Sequence, residues 1–234
     1  MAEPLPLVLI PGLLCTEALW RPQIEHLSDV VKAWVPKTSR HDNIPQTAKD
    51  ILAAAPAQFA LAGLSMGGYI AFEVLRQAPL RVRKLALLDS NARADLPEQA
   101  ANRRAAMRRA QEQGNLRGVV EELMPILLHP DHLHDPALTR LIHEMADEIG
   151  VDGYIRQQTA IIGRPDNRPF LSSIECPTTV IVGRQDALMP PKVALEIADG
   201  IPSAEIVIIE DCGHISTLEQ PEAVNAELRR WLLA

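Results

Sequence analysis

The sequence predicts an α/β protein in which about six parallel strands are flanked by helices, with a helical cap inserted after the strand that ends near Asp89. Short apolar runs alternate with amphipathic segments at both ends of the chain, a pattern typical of a parallel sheet covered on both faces. Residues 96–164 show helical periodicity and no strand pattern. We therefore expect a core formed by residues 1–91 and 170–234 and a cap formed by residues 92–169.

The first part of the chain contains four apolar runs that end in turn signals. The run at residues 5–10 stops at Pro11-Gly12, and Thr16 is placed to cap the helix that follows. A helix closed by Pro56 separates the next two runs. The predicted strands are 5–10, 30–35, 59–64 and 84–88, and the predicted helices include 47–55 and 69–77.

The middle of the chain predicts four consecutive helices. Gly114-Asn115, His129-Pro130-Asp131 and Gly150 interrupt the helical periodicity, which gives helices of roughly 97–112, 116–128, 136–149 and 152–162. Alternation then resumes with strands at 178–182 and 206–209 and helices at 190–198 and 221–233.

Composition excludes few functions, but net charge and hydropathy argue against nucleic acid and membrane as binding partners. The net charge of −7 argues against a nucleic-acid-binding protein, which usually carries a basic face. The sequence shows no signal peptide and no apolar stretch of membrane-spanning length. Cys15, Cys176 and Cys212 form an odd set without metal-ligand spacing, so we expect a reduced, cytoplasmic protein without structural disulfides. Buried apolar packing is the favoured role of these thiols over reactivity.

The segment Gly63-Leu64-Ser65-Met66-Gly67-Gly68 is the strongest functional signal. It contains Gly-x-Ser-x-Gly between an apolar strand and a helix. A serine on such a sharp strand-to-helix turn presents its hydroxyl at the end of the sheet. The backbone N–H of Met66 would point to the place where an oxyanion forms, and the loop at Pro11-Gly12 would supply the N–H of Leu13 as its partner.

A serine nucleophile needs a base, and His214 has the right placement for one. It follows the last predicted strand in Cys212-Gly213-His214, and Asp186 follows the preceding strand in Gly183-Arg184-Gln185-Asp186. The carboxyl ends of parallel strands open on one side of a sheet, so these side chains should meet Ser65 there. Asp89, also at a strand end, is the competing acid.

The other histidines lack this placement. His129, His132 and His134 cluster near Asp131 and Asp135, which could suggest a metal site, although polar loop composition is the favoured interpretation. We expect no cofactor and no metal.

Together these segments resemble the α/β-hydrolase family, in particular its small capped branch that includes carboxylesterases and the pimeloyl-carrier-protein methyl ester esterase. The matching segments are Leu-Ile-Pro-Gly, Gly-Leu-Ser-Met-Gly-Gly, Leu-Leu-Asp, Gly-Arg-Gln-Asp and Cys-Gly-His. The resemblance implies that Ser65, Asp186 and His214 are nucleophile, acid and base, and that Leu13 and Met66 provide the oxyanion amides. It covers nearly the whole chain.

Two departures from the family pattern stand out. Many relatives begin the first loop with His-Gly, where this chain has Pro11-Gly12. That histidine orders the loop and does no chemistry, so the oxyanion hole should survive. Many relatives also have an antiparallel hairpin before the first strand; this sequence starts without it, so a shorter, wholly parallel sheet is expected.

The expected activity is hydrolysis of carboxylic esters of small to medium, moderately apolar substrates through an acyl-enzyme. Leu123, Met124, Leu127 and Leu128 of the cap are candidates for its pocket. Carbon–carbon bond or thioester hydrolysis, or acyl transfer to peroxide, are alternatives on the same triad. A non-catalytic ligand-binding protein is a further alternative.

Four arginines of the predicted cap have two interpretations. The pairs Arg103-Arg104 and Arg108-Arg109 are most simply a solvated helix face. The alternative is a docking patch for an acidic partner such as an acyl carrier protein.

Overall fold

A computed structural model describes residues 5–234, and its central feature is one six-stranded, wholly parallel sheet. The strands lie in the order β2-β1-β3-β4-β5-β6. The predicted fold class is confirmed, and residues 1–4 of the predicted core lie outside the described part. The strands are β1 (Leu7–Ile10), β2 (Ala33–Trp34), β3 (Phe59–Leu64), β4 (Val82–Leu88), β5 (Thr178–Gly183) and β6 (Ala204–Ile209).

Helices cover this sheet and fill the segment between β4 and β5. Short 3-10 turns lie at Glu17–Trp20, Pro79–Arg81 and Pro130–His132. The α-helices are α1 (Arg21–His26), α2 (Ile44–Ala54), α3 (Met66–Gln77), α4 (Pro97–Gln113), α5 (Arg117–Leu127), α6 (Pro136–Ile162), α7 (Arg168–Leu171), α8 (Pro191–Gly200), α9 (Ser216–Glu219) and α10 (Pro221–Leu233).

Side chains alternate between two hydrophobic cores, one on each face of the sheet. In β1, Leu7 and Leu9 belong to one core, while Val8 and Ile10 belong to the other. All four are buried, because helices cover both faces. Each such side chain contributes roughly 1.5–3 kcal/mol when fully removed from water, so the sheet is a rigid platform for the loops at its ends.

The second strand is much shorter than residues 30–35, the predicted range. The amide N–H groups of Val30 and Val31 both donate to the Leu27 carbonyl oxygen, at 3.0 Å each. These residues therefore close the end of α1, and only Ala33 and Trp34 pair with β1. Of this run only Val31 is buried, and Trp34 is exposed, so the apolar pattern overstated both the length and the burial of this edge strand.

The helical segment, by which we mean residues 92–169, contains α4, α5 and α6. Two predicted helices join in α6, and Gly150 marks the kink between them with φ 66° and ψ 170°. This conformation lies in a region that favours glycine, so the break was predicted at the correct residue. Helix α7 spans the predicted boundary at 169/170.

None of the helices between residues 5 and 234 combines the length and the apolar character needed to cross a lipid bilayer.

Candidate active site

Ser65 lies on a strained turn between β3 and α3. Its φ of 55° and ψ of −113° are rare for a residue with a side chain. The Ser65 N–H donates to the Leu88 carbonyl oxygen (2.9 Å), and the Ser90 hydroxyl donates to the Ser65 carbonyl oxygen (2.8 Å). These bonds from β4 and the loop after it hold the strained backbone in place.

Three glycines make this turn sterically possible. A Cβ atom at Gly63 would overlap the backbone of Gly67, and one at Gly67 would overlap the Ile10 carbonyl group of β1. A Cβ at Gly68 would strike the Ser90 hydroxyl. The small residues expected around the serine are therefore required by close backbone approach.

His214 follows β6 and lies against Asp186, which follows β5. The His214 Nδ1–H donates to Asp186 Oδ2 at 2.7 Å, since a carboxylate can only accept. The Leu188 and Met189 N–H groups donate to the other oxygen of Asp186 at 2.9 and 2.7 Å. The carboxylate is thus fixed from two sides, and it fixes the imidazole tautomer with a free Nε2.

The electrostatic environment makes His214 a stronger base. Burial lowers its pKa, but the charge of Asp186, the hydrogen bond that His214 donates to Asp186 and the neighbouring carboxyl group of Asp89 together outweigh burial. The pKa of His214 is therefore raised above its ordinary value. A proton taken up by this imidazole is stabilised by the carboxylate behind it.

Asp89, the competing acid of the sequence analysis, is buried beside this pair but does not bond to the imidazole. Its Oδ1 accepts from the Gly183 N–H (2.9 Å) and its Oδ2 from the Ser216 hydroxyl (2.5 Å). Burial and the charge of Asp186 raise the pKa of Asp89 well above its usual range. Of the two candidate acids, only Asp186 contacts His214.

Ser65 and His214 line one cavity at the carboxyl end of the strands. Among the hydrogen bonds of residues 5–234, none joins the Ser65 hydroxyl to the imidazole. Catalytic hydrogen bonds are often long in enzymes without substrate and shorten when one binds. The lining is mostly apolar, and the helical segment supplies Val120, Leu123, Leu127, Ile142 and Met145.

The cavity is small. Its volume is about 90 Å³, below the roughly 300–1,000 Å³ of pockets that take drug-sized ligands.

Of the four predicted pocket residues, three leucines and one methionine, Leu123 and Leu127 line the cavity. Met124 and Leu128 are instead packed in the hydrophobic core of one sheet face.

The predicted oxyanion amides, the backbone N–H groups of Leu13 and Met66, belong to two separate segments: Leu13 lines the cavity, and Met66 is the residue directly after Ser65. Leu13 follows β1, and Met66 is the first residue of α3. Neither N–H has an acceptor among the described residues. Leu14, the next residue after Leu13, has a φ of 60°, so the first loop is curled tightly.

The comparisons with known proteins agree with this architecture. A model described as "Alpha/beta hydrolase family" matches residues 7–227. The chain belongs to the alpha/beta hydrolase family. The protein is therefore a hydrolase by family, as the sequence predicted.

Individual relatives of this hydrolase cover most of its length. A thermophilic esterase from Thermogutta terrifontis, solved with malate bound, is 30% identical, with a TM-score of 0.90 over 98% of this chain and 89% of that one. The enol-lactonase from Burkholderia xenovorans LB400 is 24% identical, with a TM-score of 0.89, and covers 100% of this chain and 93% of its own, which shows the shared fold. The pimeloyl-[acyl-carrier protein] methyl ester esterase of Neisseria meningitidis serogroup B is 25% identical over 80% of this chain and 74% of its own.

Gln157 of α6 contacts the first loop of the hydrolase and was missed from the sequence. Its side-chain oxygen accepts from the Leu14 N–H at 3.1 Å, and its Nε2 donates to the Thr38 hydroxyl at 3.1 Å. Gln157 is fully buried. A lone glutamine inside a helix carries no sequence signal for such a role, because its partners lie more than a hundred residues away.

Glu219 is a second residue that sequence reasoning missed. Its buried carboxylate accepts from the Gly213 N–H (3.0 Å), from the His129 N–H (2.6 Å) and from His132 Nδ1–H (2.9 Å). The His214 N–H donates to the Leu127 carbonyl oxygen at 2.7 Å. The histidine loop is therefore joined to the end of α5 and the turn after it.

The histidine-rich turn that raised the question of a metal is thus engaged with Glu219. Within residues 5–234 no group of three or more His, Cys, Asp or Glu side chains is arranged to hold a metal ion. Cys15, Cys176 and Cys212 are free thiols. Burial raises the pKa of Cys15, which lines the cavity, to about 12, so this thiol stays protonated at neutral pH.

The four cap arginines do not share one environment. Arg104 and Arg108 are exposed, and Arg109 forms an exposed ion pair with Glu122 at 2.5 Å. Arg103 instead lines the cavity. The interpretation of these arginines as a solvated face is therefore wrong for Arg103.

Proposed function

We propose that this hydrolase cleaves carboxylic esters of small to medium, moderately apolar substrates through an acyl-enzyme. One observation carries the proposal: Ser65, on its strained turn, borders the same cavity as an imidazole whose other nitrogen is held by a buried carboxylate. The esterase relatives from Thermogutta terrifontis and Neisseria meningitidis support the ester class.

In the proposed mechanism, the Ser65 hydroxyl attacks the ester carbonyl carbon while His214 Nε2 takes its proton. The carbonyl oxygen becomes an oxyanion that accepts hydrogen bonds from the Leu13 and Met66 N–H groups, and each such donor is worth roughly 100- to 1000-fold in rate. His214 then gives the proton to the leaving alcohol. Asp186 holds the imidazole and stabilises its charged form throughout.

Water completes the cycle in the second half of the mechanism. His214 removes a proton from a water molecule, which attacks the acyl-enzyme carbonyl carbon, and collapse of the second oxyanion returns the proton to Ser65 and releases the acid. The raised pKa of His214 favours proton uptake in both halves.

We further propose that residues 92–169 act as the cap and that the remaining residues act as the catalytic core. The apolar side chains that α5 and α6 contribute support this division, since they line the same cavity as Ser65. Such a cap keeps water away from the acyl chain and limits its size.

The test compares the wild type with Ser65→Ala and with the exposed-serine control Ser28→Ala. We expect p-nitrophenyl butyrate turnover and fluorophosphonate labelling in the wild type and the control, and neither in Ser65→Ala. A cleanly purified, folded Ser65→Ala sample that retains turnover would refute the assignment. An unlabelled, inactive wild type would instead favour a ligand-binding protein.

A carrier-linked ester is a second candidate substrate. The exposed Arg104 and Arg108, together with the carrier named in the Neisseria relative's description, favour it. The double substitution Arg104→Glu with Arg108→Glu should weaken turnover of an ester attached to acyl carrier protein and spare p-nitrophenyl butyrate. Equal effects on both substrates would count against carrier docking.

A further inference from the structure

Arg103 is a cation in a cavity whose other lining is mostly apolar. It projects from α4, and its side chain is 21% exposed. The Gln158 side-chain oxygen accepts from Arg103 Nη1 at 2.9 Å, while Gln158 Nε2 donates to the Tyr154 hydroxyl at 3.0 Å. The guanidinium group is therefore held in position, since a neighbouring helix fixes the residue that it contacts.

The charge of Arg103 is only partly compensated. Its Nε donates to Asp95 Oδ2 at 2.7 Å, but Arg164 Nη1 lies 2.8 Å from Asp95 Oδ1 in a second ion pair. That second contact is an ion pair without hydrogen-bond alignment. No further carboxylate within residues 5–234 pairs with either arginine.

One carboxylate thus serves two guanidinium groups, which leaves the cluster with one net positive charge. The side chains of Asp95 and Arg164 are only 2% and 3% exposed, so water screens this charge poorly. Buried charges are costly unless a partner of opposite sign is present.

Arg103 also has hydrogen-bond donors to spare. Its Nε and Nη1 are engaged, whereas Nη2 has no acceptor among the described residues. Guanidinium groups with free N–H donors favour carboxylates, which can accept two bonds at once. An ionised carboxylate on the substrate would supply both the missing charge and the missing acceptors.

We propose that Arg103 binds a carboxylate of the substrate, so that this site prefers esters that carry a second, ionised carboxyl group, such as half-esters of short dicarboxylic acids. The inference rests on the proposed ester hydrolysis at Ser65. The small cavity, with a volume of about 90 Å³, limits the distance between the ester and the carboxylate to a short chain.

The kinetic test uses two methyl esters of the same chain length up to the last group, which is a carboxylate in one and a methyl group in the other. Monomethyl glutarate is compared with methyl pentanoate, in which a methyl group replaces the carboxylate. We expect Arg103→Met to lower the ratio of kcat/KM for monomethyl glutarate to kcat/KM for methyl pentanoate roughly 10- to 100-fold, mainly by raising the KM of the anionic ester. This is the size of effect expected when a hydrogen bond to a charged group is lost. Arg103→Lys should retain part of the preference, and the exposed-arginine control Arg104→Met should retain all of it.

A second pair of substrates locates the carboxylate. Monomethyl glutarate, compared with methyl pentanoate, carries it on the acyl side of the ester bond, and 4-acetoxybutyrate, compared with butyl acetate, carries it on the alcohol side. A preference that depends on Arg103 in either pair supports the proposal and assigns the side. A ratio within twofold of the wild type for Arg103→Met in both pairs overturns it.

Binding to Ser65→Ala separates this inference from the proposed function. Titration calorimetry should show monomethyl glutarate binding more tightly than dimethyl glutarate, and Arg103→Met in that background should abolish the difference. Equal affinities for the two compounds overturn the carboxylate site even if turnover is present. The comparison in Ser65→Ala needs no Arg103 variant, so it decides the matter even if Arg103→Met fails to fold.

Discussion

Replacing Asp186 with asparagine isolates the role of the carboxylate behind His214. Oδ1 of Asp186 accepts from two backbone N–H groups, those of Leu188 and Met189, and only an oxygen can accept there. In Asp186→Asn the amide oxygen should keep that position, so the NH₂ group faces His214 Nδ1. The imidazole must then accept at Nδ1 and carry its proton on Nε2, where it cannot take a proton from Ser65.

Asp186→Asn should lower kcat strongly and change the stability of the folded protein little. A histidine held in the wrong tautomer typically loses about 10⁴-fold in kcat. The residual activity should also shift its pH dependence. In the wild type the raised pKa of His214 puts the acid limb above the ordinary histidine value, since only the neutral imidazole is a base. Without the charge of Asp186, that limb moves to lower pH.

Asp89→Asn is the matched control, because Asp89 is equally buried and also lies at a strand end. An asparagine there can accept from the Gly183 N–H and donate to the Ser216 hydroxyl, the two groups that contact Asp89. The assay is kcat/KM for p-nitrophenyl butyrate between pH 5 and 9. We expect Asp89→Asn to stay within about tenfold of the wild type at neutral pH. The reverse ranking of the two variants would identify Asp89 as the acid and refute our reasoning.

Three further predictions follow from particular contacts. Gly67→Ala should lower the free energy of unfolding, measured by urea titration, by about 1–3 kcal/mol, because the new Cβ atom overlaps the Ile10 carbonyl group. In the control Gly163→Ala the new Cβ atom has ordinary contact distances, so the free energy of unfolding should change little. Gln157→Leu leaves the Leu14 N–H without its acceptor, so we expect kcat to fall roughly 10- to 100-fold with little change in KM. A change in KM alone would contradict a role of Gln157 in holding the loop of Leu13 and Leu14. Burial raises the pKa of Asp89 in the folded state, so the stability that its protonated carboxyl group contributes is complete below the unfolded-state pKa and is lost as pH rises through the folded-state pKa. Between pH 5.5 and 8.5 the melting temperature of Asp89→Asn should therefore fall less than that of the wild type. Parallel curves of melting temperature against pH would contradict this prediction.

The strand ends were predictable because local signals and topology point to the same residues. Strand β3 has the predicted bounds, since an apolar run stops at a glycine-rich turn. In a parallel sheet every strand delivers its carboxyl end to one side, so residues after β3, β5 and β6 had to gather there. The contact between His214 and Asp186 required only that two adjacent loops turn inward.

The contribution of the helical segment was not predictable in the same way. The buried residues of helix α4 are only Ala100 and Ala110, so its apolar pattern does not indicate which face turns inward. Arg103 and Arg104 are neighbours in sequence but about 100° apart around the helix axis. Which of the two lines the cavity depends on how α4 packs against α6, because the hydrogen-bond partner of Arg103 is Gln158 of α6, fifty-five residues later in the chain.

The residues at the strand ends, which were predictable, and those of the helical segment, which were not, are proposed to have different roles in the reaction. In the proposed mechanism Ser65, His214 and Asp186 act on the ester group that every substrate would share, so their substitution should lower kcat for all substrates alike. Arg103 is proposed to bind the part of the substrate that varies, so Arg103→Met should change the order of preference among substrates and leave the bond cleavage itself intact. Relatives that share the strand ends and differ in the helical segment would keep the positions of nucleophile, base and acid and change what the cavity accepts. Substrate choice must therefore be derived from the packed helices, whereas the positions of these three side chains can be derived from the order of the strands.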